Sequence, residues 1–159
     1  MTAAIERVGV VGGGIMGSGI AEVCARSGLD VVLVEVSEQA AAAAQARIDT
    51  SIARAVDRGK LARAAADAAL ATLRCVAEFE ALADRQLIVE AVVEQREAKL
   101  DVFKRLAAVA GDPEAILASN TSSIPIVELG AAAGDRSGHV LGLHFFNPVP
   151  VLSLVEVIP

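Results

Sequence analysis

A doubly wound α/β fold, a mostly parallel sheet with helices on both faces, is predicted by three features of the sequence. Short β-branched runs alternate with helical patterns along the chain. Those runs are apolar at nearly every position, as strands covered on both faces are. The first run leads through a cluster of glycines directly into a helical pattern. At 159 residues the chain has the length of one domain, and neither an internal repeat nor a linker divides it.

Strands are expected at residues 8–11, 31–36, 73–76, 87–93, 116–119, 140–143 and 152–158. The first helix begins near Gly14. Ser37 suits the N-cap of a second helix that runs to about Arg58, with Ile48, Ile52 and Val56 recurring every four residues and Gly59 at the exit. An alanine-rich helix is expected at 62–71. Another runs from about Gln95 to Ala110, with Leu100, Phe103 and Ala107 on one face. Its early Glu97 and late Lys104 and Arg105 match the helix dipole, and Gly111-Asp112-Pro113 ends it. The chain stops at Pro159 directly after a strand, so the domain is expected to be truncated near its C-terminal end.

The bulk properties exclude several classes. A formal charge of −6 argues against a nucleic-acid partner. The longest apolar runs have strand length, short of the roughly 20 residues that span a bilayer. The segment from Met1 to Val8 has no basic region before an apolar core, so no leader is expected. Cys24 and Cys75 show no metal-ligand spacing and read as small buried thiols of a cytoplasmic protein.

Gly12, Gly14 and Gly17 form a G-x-G-x-x-G pattern between strand and helix, and the carboxylate Glu35 closes the next apolar run. That order is what a dinucleotide site of the Rossmann type needs. Gly12 permits the tight turn, Gly14 lets a pyrophosphate approach the backbone, and Gly17 lets the helix pack closely. The helix start, with Ile15 and Met16, turns free N–H groups toward the phosphates. Glu35 can accept hydrogen bonds from the adenosine ribose. Val36-Ser37-Glu38 brings no Arg or Lys for a 2′-phosphate, so NAD is expected over NADP.

In such sheets ligands bind beyond the carboxyl ends of the strands, and the polar residues gather there. They are Glu35, Glu90 and Glu94, the run Ser119-Asn120-Thr121-Ser122-Ser123, and His144 followed by Phe145-Phe146-Asn147-Pro148. Glu156 lies within an apolar strand, where a buried carboxylate is costly without a partner. A strand, a turn holding Pro148 and Pro150, and a returning strand would bring it to His144. The alternative is a solvent-facing place on an edge strand. A paired carboxylate would fix the imidazole tautomer and raise its basicity. Such a histidine suits proton abstraction from an alcohol, with nicotinamide as the hydride acceptor and Ser122 holding the substrate oxygen. Ser122 lies in Thr-Ser-Ser rather than a G-x-S-x-G elbow, which argues against a hydrolase. His139 precedes its strand and reads as a surface or structural residue.

The segments Gly12 to Ala21, Val89-Glu90-Ala91-Val92-Val93-Glu94, Ser119 to Ser123, His144 to Pro150 and Leu154-Val155-Glu156-Val157 together resemble the L-3-hydroxyacyl-CoA dehydrogenases, including the bacterial 3-hydroxybutyryl-CoA dehydrogenases. The resemblance covers essentially the whole chain. It implies reversible NAD-dependent oxidation of L-3-hydroxyacyl-CoA, in the setting of fatty-acid β-oxidation. It implies that His144 is the base, Glu156 its electrostatic partner, and Ser122 a contact of substrate and nicotinamide. Glu94, Lys99 and Asn147, with Asn120 of the same rim, are implied to contact NAD. The acid matching Glu35 is usually Asp, one methylene shorter. Ser51 matches a serine that binds the CoA moiety, and its basic partner is Arg58 or Lys60. Members of the family carry a second, all-helical domain that adds an active-site asparagine, part of the acyl pocket and a homodimer interface. Two alternatives stand beside this reading: a dehydrogenase of a non-CoA hydroxy acid, like the related L-gulonate dehydrogenases and lens crystallins, and a non-catalytic NAD-binding module.

Overall fold

The apolar run Arg7–Val11 (β1) forms a central strand of the sheet, and the chain winds outward from it in both directions. The computed structural model describes residues 4–159; Met1 to Ala3, the start of the segment read as leaderless, lie outside the described residues. After β1 come helix α1 (Ile15–Arg26), β2 (Asp30–Val34), α2 (Glu38–Asp57), α3 (Arg63–Ala71) and β3 (Leu73–Val76). Then follow β4 (Leu87–Glu90), α4 (Arg96–Val109), β5 (Ile116–Ser119), α5 (Ile126–Ala132), β6 (Val140–Phe145) and β7 (Val155–Ile158). The seven strands lie in the order β3-β2-β1-β4-β5-β6-β7. All neighbours are parallel except β6 and β7, which run antiparallel.

The alternation of side chains along each strand divides the core in two. Val8, Val10, Val31 and Leu33 pack with Ile20, Ile48, Ile52 and Ala66 from α1, α2 and α3. Val32, Val34, Ile88 and Leu117 face the other way, onto Phe103 and Leu106 of α4 and Leu129 of α5. Each such large apolar side chain contributes roughly 1.5–3 kcal/mol by leaving water. The strand order reverses between β1 and β4, the switch point where doubly wound sheets bind ligands.

Boundaries moved where side chains took over the backbone. The strand expected at 87–93 ends at Glu90, because the Glu90 carboxylate accepts the Val92 N–H at 2.7 Å and curls the chain away from the sheet. The strand expected at 31–36 ends at Val34, leaving Glu35 and Val36 beyond it. The strand expected to stop at residue 143 runs on through His144 to Phe145, because β7 pairs along it. That last strand starts at Val155 rather than residue 152, since Val151 and Leu152 donate their N–H groups to the Pro148 carbonyl in a turn. Ser37 caps α2 as expected, accepting the Ala40 N–H at 3.2 Å. The short helix α5 and the 3-10 turns Phe79–Leu82 and Gly134–His139 were not expected; none is long enough to show a helical period. Among the described residues no helix is long and apolar enough to cross a membrane.

Candidate functional site

The glycine turn between β1 and α1 is crowded behind and open in front. Gly12 has φ +95°, in the region that favours glycine, and a Cβ there would lie 2.8 Å from the Ala91 carbonyl oxygen. A Cβ on Gly17 would overlap the Gly12 carbonyl oxygen, so Gly17 is fitted against the turn itself more than against the sheet. A Cβ on Gly14 would meet nothing within 4 Å. Gly14 is the N-cap of α1, Ile15 is exposed and Met16 half-buried beside it. An open backbone face at a helix start is what a pyrophosphate needs, and these residues therefore fit a dinucleotide.

Glu35 reaches back to this turn. Its Oε1 accepts the Gly13 N–H at 2.6 Å and its Oε2 accepts the Val36 N–H at 3.0 Å. A carboxylate has about four lone-pair sites, so each oxygen keeps capacity for a ribose hydroxyl. The Gly13 carbonyl is held in turn by the Ser18 hydroxyl at 2.8 Å and by Arg47 Nη1 at 2.5 Å. Arg47 was absent from the sequence-based candidates.

Next to the turn, at the ends of β4 and β5, lies a buried ionic cluster. Lys99 is 1 % exposed, and its Nζ donates to Glu90 Oε1 at 2.6 Å and lies 3.2 Å from Glu94 Oε2 and 3.3 Å from the Val92 carbonyl. An ammonium has three donors, and three acceptors surround it. Lys99, expected to contact NAD, has its donors engaged by these groups while it also lines the cleft that holds Glu94. Glu90, fully buried, also accepts the Ser119 hydroxyl at 2.6 Å. Glu94 accepts hydrogen bonds from the Thr121 hydroxyl, from the Ser123 hydroxyl at 3.0 Å and from the Ser122 N–H at 3.2 Å. Burial works against its charge, but Thr121, Lys99 and Ser123 outweigh that cost and hold the Glu94 carboxyl down at about 2.

His144 and Glu156 face each other across the antiparallel β6–β7 pair, with Nδ1 and Oε2 2.8 Å apart. Glu156 is not buried, as its apolar neighbours had implied. Its side chain is 53 % exposed on the edge strand, against 22 % for His144. The two readings of Glu156 thus merge: it is on an edge and it is paired. Phe146 packs edge-to-face on the imidazole at a centroid distance of 4.7 Å. A cleft of about 370 Å³ gathers Met16, Glu94, Asn120, Ser122, His144 and Asn147. Asn120 also serves the frame, its Oδ1 accepting the Phe145 N–H at 2.9 Å and tying β5 to β6. His139 lies at the end of a 3-10 turn, outside the cleft.

A larger groove, about 930 Å³, runs along α2. Ser51, Arg58 and Lys60 all line it, so both basic candidates are present, together with Arg47 and Arg54 and an opposite wall of Pro148 and Pro150. The spacing of Arg47, Ser51, Arg54 and Arg58 is that of one helical face; extending the pattern one turn back from Ser51 would have found Arg47. A hollow of about 190 Å³ shares Arg47, Ser51 and Pro148 with the groove and Asn147 with the cleft, joining the two.

Residues 7–159 match the family described as "3-hydroxyacyl-CoA dehydrogenase, NAD binding domain". The chain belongs to this family. It is 52% identical over 158 residues to a 3-hydroxybutyryl-CoA dehydrogenase of Mycobacterium tuberculosis, covering 99% of this chain and 55% of the relative. It is 42% identical to the human mitochondrial hydroxyacyl-coenzyme A dehydrogenase, covering 97% of this chain and 50% of that protein. The crystal structure of M. tuberculosis FadB2 superposes with a TM-score of 0.95 at 52% identity, covering 98% of this chain and 54% of that one. The chain therefore spans about half the length of the curated relatives it matches, and the family model it matches is that of the NAD-binding domain.

Proposed function

We propose that this domain forms the cofactor-binding and proton-transferring half of an NAD-dependent L-3-hydroxyacyl-CoA dehydrogenase, acting most nearly like a 3-hydroxybutyryl-CoA dehydrogenase. The observation that carries the reading is His144, paired with Glu156 at 2.8 Å and lining the cleft that also contains Ser122 and Asn147. Glu156 accepts Nδ1–H, which leaves Nε2 as the lone-pair nitrogen. Nε2 takes the proton of the substrate 3-hydroxyl, and Glu156 stabilises the imidazolium that results. In the reverse direction the same nitrogen returns the proton to the 3-oxo oxygen. NAD, when bound, supplies the hydride acceptor. Ser122 orients the substrate oxygen, and Glu94, set by Lys99 and Thr121, fixes the backbone from which Ser122 projects.

The glycine turn and Glu35 would hold NAD, with Asn120 and Asn147 at its nicotinamide end. The basic groove along α2 supports CoA as the handle of the substrate, since Ser51, Arg54, Arg58 and Lys60 offer donors and positive charge to its phosphates. The cysteines, unpaired among the described residues, fit a reducing compartment, so we place the protein in the cytoplasm, with the complete enzyme a homodimer.

The test is NADH oxidation with acetoacetyl-CoA, by this chain alone and by a chimera joined to the remaining part of the M. tuberculosis relative. Turnover by the chimera is expected. Its absence with acetoacetyl-CoA, while NADH still binds, would reject the activity and leave a non-catalytic NAD module.

A further inference from the structure

Among the described residues, Arg47 is the one side chain that both lines the α2 groove and hydrogen-bonds the glycine turn. Its Nη1 donates to the Gly13 carbonyl, the same oxygen that Ser18 holds, while Glu35 holds the Gly13 N–H. Two successive peptide groups of a glycine-rich turn are thereby clamped. Glycine loses more conformational freedom on ordering than any other residue, so fixing it has a large effect. In a trans peptide the N–H points opposite to the C=O. Clamping the Gly13 carbonyl on the α2 side therefore aims the Gly14 N–H toward the open front of the turn, where a Cβ on Gly14 would meet nothing. A guanidinium has five N–H donors in a rigid fork, and the exposed Arg47 can keep one on Gly13 while offering others to an anion in the groove.

We propose that Arg47 is a positioning residue through which the acyl-CoA groove and the dinucleotide turn sense each other. The proposal rests on the reading of the groove as a CoA subsite. An anionic ligand that pairs with the free edge of the guanidinium holds this long side chain in its clamping position. The ordering cost is then met by the first ligand, and the second binds to a turn already set. The coupling is positive, and it is reciprocal because it is thermodynamic.

The experiment is a double titration of this chain with NADH, followed by fluorescence, in the absence of CoA and at saturating CoA. The Kd for NADH is expected to fall about two- to tenfold when CoA is bound, the range given by ordering one flexible side chain. The Kd for CoA should fall by the same factor when NADH is bound. Arg47→Ala should leave both ligands binding, each more weakly, with a coupling factor near one. Arg54→Ala should weaken CoA but keep the coupling factor at saturation, which a merely electrostatic loss from the groove would not distinguish from Arg47→Ala. Arg47 is exposed on α2, so its replacement by alanine leaves the core intact. A coupling factor of one in the unaltered chain, a negative coupling, or an Arg47→Ala variant that couples as the unaltered chain does would overturn the proposal while the CoA reading stands. Failure of CoA to bind at all would overturn both.

Discussion

Two carboxylate-centred pairs lie at the rim of the same sheet, and they are built in opposite ways. Glu90 and Lys99 meet at 2.6 Å with almost no exposed surface, whereas Glu156 meets His144 at 2.8 Å on an edge strand with half its side chain in water. The buried pair loses the hydration of two ions and recovers it only through a full set of partners: Ser119, Val92 and Glu94 complete it. Removing one member leaves an uncompensated charge in the interior. The exposed pair can lose a member at little cost to folding. The contrast separates frame from chemistry. On the proposed function His144 changes charge during each turnover, and an exposed carboxylate partner lets it do so without unsettling the core.

The contrast breaks most visibly at Lys99. Lys99→Met should lower the unfolding free energy by about 3–5 kcal/mol in a urea titration, because Glu90 is left buried without its counter-ion. A loss under 1 kcal/mol would mean that the cluster does not carry the frame. Gly17→Ala tests the neighbouring glycine turn. The added Cβ overlaps the Gly12 carbonyl oxygen, so the turn must shift. Overpacking of this kind costs about 1–3 kcal/mol, and NADH affinity should fall roughly tenfold or more, read by fluorescence titration.

Glu156→Gln sharpens the exposed side of the comparison. Its effect on stability should stay below about 1 kcal/mol, while turnover of the chimera falls about tenfold or more, as expected when a charged hydrogen-bond acceptor becomes a neutral one. Equal damage to stability and turnover would merge the two pairs into one class.

A further effect is a pH dependence from Glu94. Its folded pKa, about 2, lies below its ordinary value of 4.5, so its contribution to stability is present above pH 4.5 and is lost as pH falls toward 2. Glu94→Gln should flatten the stability profile across that window, measured by urea midpoints at stepped pH. An unchanged slope would remove Glu94 from the network.

The parts of this design differ in how far the sequence showed them. The sheet was legible because its strands are continuous apolar runs and its glycine turn sits between strand and helix. The pairing of His144 with Glu156 was legible too, since two prolines between two strands imply a return. The burial of Lys99 was not, because lysine is among the residues least often buried and only the three-dimensional approach of Glu90 and Glu94 explains it. The early end of β4 was hidden for the same reason: Glu90 turns the chain with its own side chain. Helix α5 has too few residues to show a period, and Arg47 gave no signal apart from its place on the face shared with Ser51 and Arg54.

The division between frame and chemistry is tested most directly by His144→Gln in the chimera, with turnover, NADH affinity and unfolding free energy measured on one preparation. Turnover should fall by roughly 10²–10⁴-fold, the range for loss of a general base. The Kd for NADH should stay within about twofold, and stability within about 1 kcal/mol, as for other exposed pairs. Turnover close to that of the unaltered chimera, or a loss of NADH binding that accounts for the whole fall, would contradict the assignment of His144 as the base.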